Sequence, residues 1–118
     1  MSSGKRTLPD QLRAMGLSQR RYLQCVRHVA STKGFRPSDF ALSKDGTHKI
    51  EFQDTDGSVV KFGKAGMNDF IMYTWKEHRG DVVPGTARKR QRAYHARFNE
   101  PRSHPRTSPY NLSLNILW

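Results

Sequence analysis

Seven basic residues crowd the stretch from Arg88 to Arg106: Arg88, Lys89, Arg90, Arg92, Arg97, Arg102 and Arg106, with Glu100 as the one acid among them. Six of the seven are arginine, whose planar fork suits bidentate contact with phosphate or carboxylate. Tyr94 lies in their midst, where its ring could stack on a base. The first five fall in "ARKRQRAYHARF". They surround a helix so completely that only Tyr94 and Phe98, at i and i+4, can pack on a core without burying unpaired charge. The pattern predicts a surface for a polyanion or an acidic partner.

The remaining candidates dissolve on inspection. Asp54, Asp56 and Gly57 share the start of a calcium loop, but the glycine falls too early and the closing glutamate is missing, so a hairpin turn is expected. His28, His48, His78, His95 and His104 lie apart without metal-ligand spacing, and neither a metal nor a cofactor is expected. "FGKAG" is too short for a phosphate-cradling loop and reads as a strand exit turning on Gly63 and Gly66. No Ser/His/Asp or Cys/His grouping is visible, and no enzyme is expected. "QLRAMGLSQRRYLQCV" has the outline of a helix-turn-helix, with Arg20, Arg21 and Gln24 where a recognition helix would face the groove. Pro9 leaves its first helix short, however, and any helical hairpin has the same outline.

After Arg106 no residue is charged, and the chain closes on "SPYNLSLNILW". Exposed apolar surface costs about 25 cal/mol per Å², so something covers it. Tyr110, Leu112, Leu114, Ile116, Leu117 and Trp118 are expected to dock on a partner; the competing reading folds the segment back onto its own sheet. Its secondary structure is open: alternation of Tyr110, Leu112, Leu114, Ile116 and Trp118 fits a strand, whereas Ser108, Pro109 and the set Tyr110, Leu114, Leu117, Trp118 fit a helix.

The elements that position these residues follow from punctuation and period. "TLPDQLRAMG" predicts a short helix from Thr7 or Pro9 to Gly16, and Ser18 caps a second through "QRRYLQCVRHVAST", with Tyr22, Val26, Val29 and Ala30 on one face. Phe40 and Leu42, Ile50 and Phe52, and Val60 and Phe62 alternate with polar neighbours around Asp45-Gly46 and Asp56-Gly57, which predicts a three-stranded meander under the second helix. "NDFIMYTW" fits either a helix capped by Asn68 or a strand. Gly80 to Gly85 is a loop, Thr86 is the expected cap of the basic helix, and the three prolines of "NEPRSHPRTSP" predict an extended strap.

Composition bounds the whole. The chain has 118 residues, 35% of them hydrophobic and 26% charged, and a mean hydropathy of -0.82, so one lean core with long arms is expected. The net charge of +11 divides into +7 over residues 1–36, −2 over 37–85 and +6 over 86–106, two basic flanks that steer polyanions or acidic surfaces. Cys25 is the single cysteine; it excludes an intramolecular disulfide, fits synthesis in a reducing compartment, and is expected in the core. No apolar run is long enough to span a bilayer, and "MSSGKRTLPD" lacks the apolar stretch of a signal peptide.

The order of "VKFGKAGMNDFIMY", "ARKRQRAYHARF" and "LSLNILW" resembles an uncharacterised family of small basic proteins of nucleocytoplasmic large DNA viruses. Phe62, Gly63, Gly66, Asp69, Phe70, Arg92, Tyr94, Arg97, Leu112, Ser113, Leu117 and Trp118 carry the resemblance, which spans the second half of the chain. "TWKEHRGDVVPGT" stands as an insertion, and the strap lacks the tryptophan of the pattern. The resemblance implies a viral origin and favours helix for the final segment.

These readings combine into one expectation: an α+β core over residues 1–85, a helical pair packed on a three-stranded antiparallel meander, followed by residues 86–118 as basic helix, strap and docking arm. The expected role is a virion structural protein, a minor capsid or cement component made in the host cytoplasm and held as an oligomer in a larger assembly by viral capsid proteins. Loss of residues 107–118 would then leave the core folded. The alternative is a viral nucleic-acid-binding protein that contacts the genome through its arginines.

Overall fold

The computed structural model describes residues 7–118; Lys5 and Arg6 of the basic amino-terminal flank, and the opening "MSSGKR", lie outside the described residues. The Thr7 hydroxyl accepts a hydrogen bond from the Asp10 N–H at 3.3 Å and so caps α1 (Leu8–Met15), with Pro9 in its first turn and Gly16, at φ +72°, closing it in the left-handed conformation. Ser18 caps α2 (Gln19–Thr32) through the Arg21 N–H at 3.1 Å. Leu8, Leu12 and Met15 of α1 and Tyr22, Val26 and Ala30 of α2 are buried, the helical spacing that turns one stripe inward. Cys25 is half-buried rather than in the core.

The meander forms as the alternation predicts: β1 (Phe40–Leu42), β2 (His48–Gln53) and β3 (Val59–Lys64) pair antiparallel in sequence order. The register sets Phe40 opposite Phe52 and Ile50 opposite Phe62, gathering these side chains on one face. The Phe40 ring lies 4.9 Å from Phe52 and 6.3 Å from Phe62. At the first turn Asp45 accepts from the N–H groups of Thr47 and His48 at 3.0 and 2.9 Å; these bonds, His48 foremost, hold its carboxyl far below the usual range.

The ambiguous "FIMYTW" resolves as helix α3 (Phe70–Arg79). Its cap is Asp69 rather than Asn68, accepting from the Met72 N–H at 2.9 Å. Helix α4 (Thr86–Arg97) begins one residue after its cap, which is Gly85 and not Thr86. The capping acceptor comes from α3: the Glu77 carboxylate takes the N–H groups of Gly85 at 2.7 Å and Ala87 at 2.6 Å, placing a negative charge at the positive end of the helix dipole. The strap contains one short 3-10 turn, Pro101–Ser103.

The final segment is helical. Ser108 caps α5 (Pro109–Leu112) through the Asn111 N–H at 3.2 Å, and a π turn over Ser113–Leu117 continues it. Leu112, Leu114, Ile116 and Leu117 are all buried, three of them in the same cluster as Leu12, Tyr22 and Phe62. The fold is therefore α+β, a helical pair packed on a three-stranded meander followed by a basic helix and a carboxy-terminal arm. The division at residue 85 is corrected, because the arm folds back and completes the core that residues 1–85 were expected to own.

Candidate nucleic-acid interface

Helix α4 docks by a wider stripe than Tyr94 and Phe98. Ala87 is buried, and Gln91, Tyr94 and Phe98 are half-buried, a spacing of four, three and four residues that runs down one side of a helix. Gln91 donates to the Trp118 backbone carbonyl at 2.8 Å. The Tyr94 ring lies flat on Trp118, centroids 4.5 Å apart and planes 8° from parallel, and meets Phe98 at 4.4 Å. Tyr94 thus stacks within the protein rather than on a base, and burial, with Tyr110 nearby, pushes its phenol upward.

This docking fixes where the cations go. Arg88, Lys89, Arg90, Arg92 and Arg97 are all exposed, as is Arg102 on the strap. At 100° per residue, Arg90 and Arg97 share one flank of the helix, about 10 Å apart along its axis, while Lys89 and Arg92 point away from the body. Arg106 departs from the expected set. Its guanidinium lies 3.9 Å from the Phe35 ring centroid and donates to the Lys33 carbonyl at 3.0 Å, so it pins the strap to the carboxyl end of α2, where its charge complements the helix dipole.

The expected docking residues are placed by the chain itself. Tyr110 is half-buried, stacked on His104 with centroids 4.1 Å apart and accepting from the Glu100 N–H at 3.0 Å. Leu112, Leu114, Ile116 and Leu117 are core, and Trp118 is half-buried against Tyr94. Their assignment to a partner is corrected: the apolar area that needed cover is covered intramolecularly. The helix-turn-helix outline likewise gives a helical hairpin, with Arg21 of α2 stacked 5.3 Å from the Trp75 ring of α3.

Between α4, the β3–α3 turn and the final segment lies a cleft of about 750 Å³. Lys64, Arg90 and Arg97 supply its exposed charge, Tyr73, Tyr94, Phe98 and Trp118 its half-buried rings, and its lining contains no Asp or Glu side chain. Arg90 lies 5.7 Å from the centroid of Tyr73 and Arg97 5.9 Å from that of Phe98, so each guanidinium rests on an aromatic face.

Beneath the cleft sits a polar network that sequence reasoning missed. Lys49 and Asp69 are 2% and 0% exposed, and their ion pair is 2.9 Å long. Tyr22 donates to the same carboxylate oxygen at 2.5 Å, and the Met72 N–H bonds the other. Burial first, then the Asp69 charge and hydrogen bond, push the Tyr22 phenol well above its ordinary value. This network ties α2, β2 and the start of α3 together and so fixes the Tyr73 wall. Its one signal in the sequence was Asp69, among the residues that carry the family resemblance; Lys49 drew no reading.

Among the described residues no group of three or more His, Cys, Asp or Glu stands close enough to hold a metal ion, and no helix is long and apolar enough to cross a membrane. No protein-family model, curated protein or solved structure matches the chain, so its functional reading rests on this geometry and on the residues themselves.

Proposed function

We propose that the chain binds nucleic acid through backbone phosphates, with α4 as the principal element and Arg102 extending the surface along the strap. One observation carries this reading: among the described residues, no carboxylate lies within 4.0 Å of Arg88, Lys89, Arg90, Arg92, Arg97 or Arg102. Several arginines elsewhere are engaged. Arg13 pairs with Asp10, Arg36 with Asp39 and Arg79 with Asp81, while Arg27 donates twice to the Phe40 carbonyl. Helix α4 instead concentrates cations that no carboxylate neutralises, and so presents them to an external anion.

The resemblance to small basic proteins of large DNA viruses makes a viral genome the first nucleic acid to test. A minor capsid or cement protein held by an apolar arm is the weaker reading, since the arm is core. Were capsid proteins the partners, they would meet α4 through acidic surfaces.

Fluorescence anisotropy of labelled duplex and single-stranded oligonucleotides across a salt series tests the proposal. Affinity should fall with a log–log slope of roughly −0.9 per neutralised phosphate on duplex and −0.7 on single strands. Changing Arg88, Lys89 and Arg92 together to Ala should flatten that slope by about two to three. A protein that ignores DNA and RNA in dilute buffer but binds polyglutamate would transfer the surface to an acidic protein partner.

A further inference from the structure

We infer that the cleft beside α4 takes one unpaired nucleotide of a single strand, its base against Tyr73 and Trp118 and its flanking phosphates on Lys64, Arg90 and Arg97. This rests on the nucleic-acid reading above and names the form of nucleic acid that the site prefers. The argument begins with size. At about 750 Å³ the cleft falls within the roughly 300 to 1,000 Å³ of small-ligand sites. That volume admits one nucleotide but not a duplex, whose bases remain stacked unless one is extruded at a cost of a few kcal/mol.

Chemistry follows from the walls. A base offers a π-face and a phosphate offers anionic oxygens; the cleft offers aromatic rings beside cations and no Asp or Glu side chain. Arg90 and Arg97 are held against Tyr73 and Phe98, and neither guanidinium donates a hydrogen bond to a described residue. The long side chains are therefore partly ordered before binding while their N–H forks stay open, which lowers the entropy lost on grasping an anion. Rings for bases flanked by arginines for the backbone are how sites for single strands are built. The outward residues Arg88, Lys89 and Arg92 have no such rings and serve any phosphate backbone.

Trp118 makes the cleft observable. It lines the cleft, whereas Trp75, the other tryptophan, lies outside it and donates to the Met15 carbonyl at 2.8 Å. The Trp75→Phe protein, titrated with an oligothymidylate, is expected to lose a large part of its emission saturably, while a duplex of equal length that binds leaves emission nearly unchanged. Affinities measured by anisotropy supply a second arm that needs no Trp75 substitution. Arg90→Ala with Arg97→Ala should weaken oligothymidylate binding roughly tenfold more than duplex binding, whereas the charge-matched pair Arg88→Ala with Arg92→Ala should weaken both alike. If oligothymidylate binds but both pairs reduce its affinity equally and Trp118 does not respond, the cleft assignment is overturned and the nucleic-acid reading survives. If neither form of DNA binds in dilute buffer, both fall.

Discussion

Tyr22 donates a hydrogen bond to a carboxylate already paired with Lys49, in a fully buried place where a second negative charge would be poorly solvated. Its folded-state pKa lies above the unfolded value of about 10, so its contribution is intact below pH 10 and is lost as pH rises toward the folded value. The expected slope is about 1.4 kcal/mol per pH unit. Tyr22→Phe should remove this alkaline slope and cost about 1–3 kcal/mol at pH 7 by taking a partner from Asp69. Urea unfolding of both proteins from pH 7 to 11 measures each quantity; equal alkaline slopes would absolve Tyr22. The arginines of α4 were legible because charge density needs no fold to be seen. The Tyr22–Asp69–Lys49 triad was not, since nothing local in "HKIEF" tells a buried lysine from an exposed one. Only the approach of α3, set by contacts 20 residues away along the chain, makes that difference.

At the scale of elements, Gly63 joins β3 to the final segment. It sits at φ +78°, and a Cβ there would lie 2.6 Å from Leu117 Cδ1 and 3.2 Å from Lys49 Cβ. Both the backbone and the space require glycine. Gly63→Ala should cost at least about 2 kcal/mol, and in a Leu117→Ala background the same change should cost measurably less, because the methyl enters space that Leu117 vacates. A chemical-denaturation double-mutant cycle reads the coupling; additive costs would mean that the strand and the final segment do not meet here. Elements with their own punctuation were readable: Thr7, Ser18 and Gly16 bound the first two helices, and Asp45-Gly46 and Asp56-Gly57 the strands. Helix α4 was readable in extent but not in its docking side, because Ala87 is small and Gln91 polar. The final segment satisfied two templates at once because it is enclosed on most sides, which buries Leu112 and Ile116 together with Leu114 and Leu117.

For the whole molecule, the arm's contribution is comparable with the total stability of a small domain. Four fully buried aliphatic side chains contribute about 6–12 kcal/mol, against roughly 5–15 kcal/mol for the entire fold. A protein shortened to residues 1–108 should therefore be unfolded or molten at 25 °C, with weak amide dispersion and no cooperative melt by circular dichroism, and not the folded core expected from the sequence. Retention of a sharp melt would mean that the fold does not need its final segment.

The placement of Leu8 and Leu12 in one cluster with Leu112 and Leu117 also sets a timetable. During synthesis the helical hairpin and meander leave the ribosome first, yet their cluster stays open until more than a hundred residues have been made. Such long-separation closure slows the final step of folding. In that interval the nascent chain presents an apolar sheet face beside a dense row of arginines, the combination that draws chaperones and polyanions alike. Docking of the final segment covers the first and leaves the second bare, so the exposed arginines of the finished protein are those that survive its own last folding event.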